Sequence, residues 1–248
     1  MFQFFIEPEN ITDQGLLVTD RTDVNHIKNV LRMRRGDRAA FCCQDKEKIY
    51  TCMLMEFEGE EILFEILDID STHTELPVEI TLFQGLPKSD KMEMVIQKTV
   101  ELGVSRIVPM ASKRSVVRLD GKKEARKLAR WREIAKSAAK QSRRGRIPQI
   151  SEVMTFPEAV EEGRKLDMLL IPYEESQGIG RAREVVAAAA GKKSLGIYIG
   201  PEGGFEKTEV DLAVEAGAEP ITLGRRILRT ETAGMALLAI LGFALEED

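Results

Sequence analysis

Beyond a polar stretch ending at Pro77 the chain changes its hydrophobic period, and this change limits the folds open to it more than any other feature. An apolar run over 78–84 predicts a strand, and over 91–102 the apolar residues recur at helical spacing. The two patterns then alternate: strand 106–110, a long basic helix 122–142, strand 168–171, helix 180–190, strand 195–199, helix 207–216, strand 221–223 and helix 231–245. Such alternation implies a parallel sheet with helices on both faces, and ligands gather at the carboxyl ends of its strands. The preceding residues differ. Short β-rich runs over 2–6, 38–43, 49–58 and 61–69, with turns at Gly36 and Gly59, predict a small β-barrel. One helix interrupts it, where Val24, Ile27, Val30 and Leu31 recur at helical spacing behind Thr22 or Asp23 as cap. The expected organisation is a barrel over 1–72 and an α/β domain over 73–248.

The overall charge of −5 does not by itself point to nucleic acid, but its distribution does. Between Lys113 and Arg146 fourteen basic residues, among them Arg114, Arg118, Lys136, Lys140 and Arg143, stand against only Asp120, Glu124 and Glu133. A second cluster comprises Arg21, Lys28, Arg32, Arg34, Arg35 and Arg38. Two grips on a polyanion are one reading, and two solvated faces are the other. Cys42, Cys43 and Cys52 show no Cys-x-x-Cys spacing, and His26 and His73 are the only histidines, so no metal site is expected. No leader peptide is expected either, which makes the cytoplasm the expected compartment. The longest uncharged run, 232–245, has 14 residues. That is too short for a bilayer and suits a helix buried in a core or a subunit interface.

Two segments stand out as ligand loops, because each follows a strand and opens into a helix. In Gly200-Pro201-Glu202-Gly203-Gly204-Phe205 the glycines let a backbone or a flat ligand approach closely, while Pro201 stiffens the entry. The segment lacks the endings of a P-loop and of a dinucleotide fingerprint, which leaves a tight strand-to-helix turn as the plain alternative. In Leu223-Gly224-Arg225-Arg226-Ile227-Leu228-Arg229-Thr230-Glu231-Thr232-Ala233 an apolar pair, Ile227-Leu228, lies among cations. That makeup suits a nucleobase with a negative group on Arg229. Thr230 is the expected N-cap of the following helix, with Glu231 favouring its dipole.

These two segments resemble the signature of the SPOUT class of RNA methyltransferases, and within it the ribosomal RNA small-subunit methyltransferase E family. Further matching blocks are 26–32, Gln97-Lys98-Thr99-Val100-Glu101-Leu102-Gly103-Val104, Arg114-Ser115-Val116-Val117, and Gln141-Ser142-Arg143 with Ile147-Pro148. The chain departs from the family's pattern at Gln3 and Lys113. The resemblance implies an N-terminal PUA-like β-barrel and a SPOUT α/β domain with a C-terminal trefoil knot. It further implies a homodimer that uses S-adenosylmethionine to methylate N3 of a uridine in 16S ribosomal RNA, with neither membrane nor metal involved. On this reading Leu170, Ile171, Ile199, Gly200, Pro201, Gly203, Leu223, Gly224, Ile227, Leu228 and Thr230 form the cofactor pocket. Arg229 steadies developing negative charge, Glu231 or Glu202 accepts the proton, and His26, Arg32, Arg114, Lys136, Lys140 and Arg143 hold RNA. The rivals are a ribose 2′-O-methyltransferase of the same superfamily and a non-catalytic RNA-binding or ribosome assembly factor.

Overall fold

The computed structural model describes residues 1–117, 121–174, 176 and 178–246, so Arg118 and Asp120 of the basic stretch lie outside the described residues. The chain divides into two compact units, Met1–Glu75 with Ala139–Ile147 and Leu76–Ala138 with Pro148–Asp248.

In the first unit the strands are β1 (Phe2–Phe5), β2 (Ile11–Thr12), β3 (Gly15–Val18), β4 (Arg38–Cys43), β5 (Lys48–Glu58) and β6 (Glu61–Ser71). They pair in the order β1-β4-β5-β6-β3-β2, antiparallel except for β1 beside β4. Alternation along the strands turns Phe4, Phe41 and Phe64 into one core, with Phe41 and Phe64 edge to face at 4.7 Å. The β2–β3 hairpin carries too few apolar residues to be read from period alone. Gly15 is obligatory there, with φ +134° and a position where a Cβ would stand 2.3 Å from the Phe64 carbonyl oxygen. The helix starts earlier than expected. Asp20, not Thr22 or Asp23, caps α1 (Arg21–Asn25), because its extended backbone lets the carboxylate accept from the Asp23 amide at 2.9 Å. A π-helical turn over His26–Val30 follows, and Arg32 leaves it with φ +53°.

Within this unit the 139–147 segment is held by buried polar bonds. Gln3 donates from Nε2 to the Arg144 carbonyl at 2.7 Å, the buried Arg144 guanidinium pairs with Glu75, and the Cys42 thiol donates to the Gly145 carbonyl. Burial pushes the Cys42 and Cys52 thiols up to about 12.

The second unit contains β7 (Glu79–Gly85), α2 (Lys91–Glu101), β8 (Arg106–Ala111), α3 (Gly121–Gln141, whose last three residues belong to the first unit), β9 (Gln149–Ile150), β10 (Met154–Thr155) and α4 (Phe156–Gly163). The rest are β11 (Met168–Pro172), α5 (Ile179–Ala187), β12 (Ser194–Ile199), α6 (Lys207–Glu215), β13 (Ala218–Ile221) and α7 (Thr230–Leu245). All pairs are parallel, in the order β10-β8-β7-β12-β11-β13, with β9 also on β8. Successive residues serve opposite faces. Phe83 stacks on Tyr198 at 4.7 Å in a core shared with α4 and α6, whereas Leu82 meets Gly234 of α7.

Two expectations fail here. The last strand is Ala218–Ile221 and ends where it was expected to begin. Gly217 terminates α6 early with φ +96°, and Pro220 is tolerated because β13 is an edge strand. Helix α4 was not expected at all, although Thr155 and Glu158 form a capping box before it. Among the described residues no helix is long and apolar enough to cross a membrane.

Candidate active site

The site lies where β7, β12 and β13 end, within the second unit. Gly85, at the end of β7, passes directly beside the loop that leaves β12. A Cβ on Gly85 would stand 2.6 Å from the Pro201 nitrogen and 2.9 Å from the Gly200 carbonyl carbon, so the crossing requires glycine. The loop then turns tightly, as the Gly204 amide donates to the Pro201 carbonyl at 2.9 Å and Gly204 takes φ +66°. Arg114 donates from Nη1 to the Gly203 carbonyl at 2.9 Å, so this residue, expected on RNA, braces the loop. Lys113 pairs with Glu206 and Thr208 at the start of α6.

Thr230 does not cap α7. Arg229 occupies the N-cap position, and Thr230, in the first helical turn, is buried. Its hydroxyl donates to the Gly200 carbonyl at 2.6 Å and accepts from Gln84 Nε2 at 2.9 Å. The reason is position: the hydroxyl faces two long-range partners and is thereby withdrawn from its own helix amides. Gln84, fully buried at the end of β7, also donates to the Gly85 carbonyl, and its Oε1 is buried without a hydrogen bond. One chain of hydrogen bonds thus joins β7, the Gly200 loop and α7. Thr230→Val is expected to cost about 1–3 kcal/mol, because it removes a buried partner from both Gln84 and Gly200. Chemical denaturation checks this, and a loss within a few tenths would contradict it.

The remaining residues take different positions. Leu170 and Ile171 are buried in β11, Leu170 paired with both β12 and β13 and Ile171 with β13, and Ile199 closes β12. Leu223, Gly224 and Leu228 are half-buried, whereas Arg225, Arg226, Ile227 and Arg229 are exposed, Ile227 at 86%. Among the described residues no hydrogen bond involves the main chain of 225–228 or the Arg229 guanidinium, so the loop keeps its donors and acceptors available. At Gly224, φ is +112° and the place of a Cβ is open space. Free main-chain groups around such an opening fit recognition of a flat heterocycle with polar edges. That is the donor set S-adenosylmethionine would need.

The carboxylates share one lysine that the sequence reading missed. Glu202 Oε1 accepts from Lys91 Nζ and from the Lys88 amide, each at 3.0 Å. Partial burial pushes the Glu202 carboxyl up, but hydrogen bonds from its own amide, Lys91 and Lys88 outweigh this and hold it below its ordinary range. Glu231 Oε2 lies 3.5 Å from the same ammonium and is buried without a hydrogen bond.

The expected RNA contacts divide. In the first unit Lys140 pairs with buried Asp23 and lies 5.3 Å over the Phe4 ring, whose edge meets His26 at 6.0 Å. Its charge is spent internally. Arg32 and Arg143 are exposed, both with positive φ, and the Arg143 side chain has no partner among the described residues. In the second unit Arg130 pairs with Glu93 and Arg132 with Glu152, whereas Lys122, Arg126 and Lys136 have no partner among the described residues. No group of three or more His, Cys, Asp or Glu residues suited to a metal occurs among the described residues.

Comparison with known proteins agrees with this geometry. Residues 74–242 match the RNA methyltransferase domain family. The chain is 36% identical to ribosomal RNA small subunit methyltransferase E of Bacillus subtilis, over 99% of this chain and 98% of that one. It is also 36% identical to the protein of the same name from Mycobacterium bovis, over 94% and 89%. Among solved structures, a ribosomal RNA small subunit methyltransferase E from Neisseria gonorrhoeae bound to S-adenosyl methionine aligns with TM-score 0.83 and 36% identity over 96% and 95% of the two chains. A Legionella pneumophila methyltransferase with bound SAM aligns with TM-score 0.86 and 30% identity over 98% and 97%.

Proposed function

The chain belongs to the ribosomal RNA small subunit methyltransferase E family, and from that premise we propose that it transfers the methyl group of S-adenosylmethionine to N3 of one uridine in 16S ribosomal RNA. The observation that carries this reading is the pair of loops at the ends of β12 and β13, joined through Thr230 and similar over nearly the whole chain to proteins solved with that cofactor. Calorimetric titration with S-adenosylmethionine tests it. Stoichiometric binding is expected, and no binding would favour the rival assembly factor.

N3 of uracil is a poor nucleophile until its proton leaves, so the site must favour the uracil anion and hold it in line with the methyl group. When bound, S-adenosylmethionine supplies an electrophilic methyl: as N3 forms the new bond, the carbon–sulfur bond breaks and its electron pair remains on sulfur. Main-chain groups of 223–228, with Ile199, Gly200, Pro201 and Gly203, would hold it. Arg229, exposed and unpaired among the described residues, faces the negative charge that develops on the base. Glu231 takes the N3 proton. Glu202 is the weaker candidate, because three donors already favour its ionised form.

We infer further that residues 1–72 form a PUA-like RNA-binding barrel and that 73–248 form a SPOUT domain whose end is a trefoil knot. The glycine-only crossing of Gly85 with Gly200–Pro201 supports the knot. A homodimer in the cytoplasm completes the reading. It is supported by α7, an apolar helix that buries Leu237, Leu238 and Leu241 on one side and exposes Phe243 at 92% and Ile240 at 46%. Sedimentation of a monomer alone would exclude it.

RNA binding is expected to distinguish free from spent cations. Neutralising Lys136 and Arg143 should lower the slope of log affinity against log salt by about one for each phosphate that loses its cation. Neutralising Lys140 should instead destabilise the fold, since it strands Asp23. Equal slopes for Lys136→Ala and wild type would return Lys136 to a solvated face.

A further inference from the structure

Lys91 is the first residue of α2, where a cation opposes the helix dipole. Its position therefore depends on carboxylates, and two converge on it from different segments: Glu202 at 3.0 Å from the loop after β12 and Glu231 at 3.5 Å from the first turn of α7. The two are not equivalent. Glu202 Oε1 also has the Lys88 amide, whereas Glu231 Oε2, in a side chain only 13% exposed, has no hydrogen bond and Lys91 as its one described ion partner. Other charges nearby are directed elsewhere or lack a described tie to this group: Glu93 of α2 holds Arg130, and Arg229 makes no described pair.

We propose that Lys91 is a positioning residue of methyl transfer: its ammonium fixes the Glu231 carboxylate at the start of α7 and ties it to the Glu202 loop, so that the acceptor and the cofactor loop keep one geometry. The inference rests on the function proposed above. A shared cation between two carboxylates also keeps both from repelling each other at the mouth of the site.

The test is methyl transfer from labelled S-adenosylmethionine to small ribosomal subunits lacking the modification, with donor affinity measured by calorimetry. Lys91→Met is expected to lower turnover about tenfold or more, with donor affinity within about threefold. Lys91→Arg should recover most of the turnover. Because Lys91 acts through Glu231, Lys91→Met should have little further effect in a Glu231→Gln background. A purely structural role would lower the melting temperature and reduce turnover by the same factor in both backgrounds. Active wild type with unchanged turnover in Lys91→Met, or equal losses in the two backgrounds, overturns the role of Lys91 alone, whereas wild type that transfers no methyl overturns the proposed function and this role with it. Should Lys91→Met not fold, Lys91→Gln carries the same comparison, with the same outcomes deciding it.

Discussion

Arg229→Ala is expected to lower methyl transfer at saturating RNA and donor by about a hundredfold or more, the scale on which removal of one preorganised charge-stabilising donor acts. The expectation comes from what Arg229 does not do. Its neighbours at the site are committed: Thr230 to Gly200 and Gln84, Lys91 to two glutamates, Arg114 to Gly203. The Arg229 guanidinium is exposed, unpaired among the described residues, and fixed at its base by the α7 N-cap, where its carbonyl accepts from Thr232 and Ala233. A cation anchored in this way costs little reorganisation when negative charge develops beside it. Donor affinity should stay within a fewfold, because the loss concerns the transition state and not the bound cofactor. Steady-state turnover with calorimetry separates the two, and unchanged turnover would remove Arg229 from the mechanism.

Gly85→Ala should produce the largest change in the cofactor site without removing a polar group. The new methyl would press on the Pro201 nitrogen at 2.6 Å and on its Cδ at 2.7 Å, which are backbone or ring atoms that cannot swing aside. The Gly200 loop must move, and with it the carbonyl that receives the Thr230 hydroxyl. Overpacking of this kind costs about 1–3 kcal/mol, and donor affinity should fall about tenfold or more as the loop is displaced. Gly180→Ala is the control. Among the described residues no atom beyond its own helical turns lies within 4 Å of its Cβ position in α5, so added helix propensity should make it neutral or stabilising by up to about 1 kcal/mol. Equal effects of the two substitutions on donor binding would contradict the crossing argument.

The period change at Pro77, the parallel character of the second sheet and both loops were legible, because strand and helix spacing is local and repeats. The last strand was misplaced for an equally local reason: in Ala218–Ile221 only two residues are aliphatic, while the following Thr222-Leu223 looks more strand-like than it is. Thr230 was misread because a threonine before an acidic first turn has the composition of a cap, and only the approach of Gly200 and Gln84 reveals otherwise. Lys91 and Gln84 lie more than a hundred residues from Glu202 and Thr230, the partners that tie them to the site. A signal for each was nonetheless present: a lone amide closing an apolar strand at its ligand-binding end, and a cation in a first helical turn. Charge counting overstated the number of free cations, since Lys140, Arg144, Arg130 and Arg132 pair with Asp23, Glu75, Glu93 and Glu152.

The central claim is most directly tested by incubating the protein with unmodified small ribosomal subunits and labelled S-adenosylmethionine, then digesting the RNA and mapping the product by nucleoside mass spectrometry. The account predicts one methyl group per subunit, on N3 of a single uracil of 16S ribosomal RNA. A methyl group on a ribose 2′ oxygen, or no transfer from a protein that binds the RNA, would contradict it.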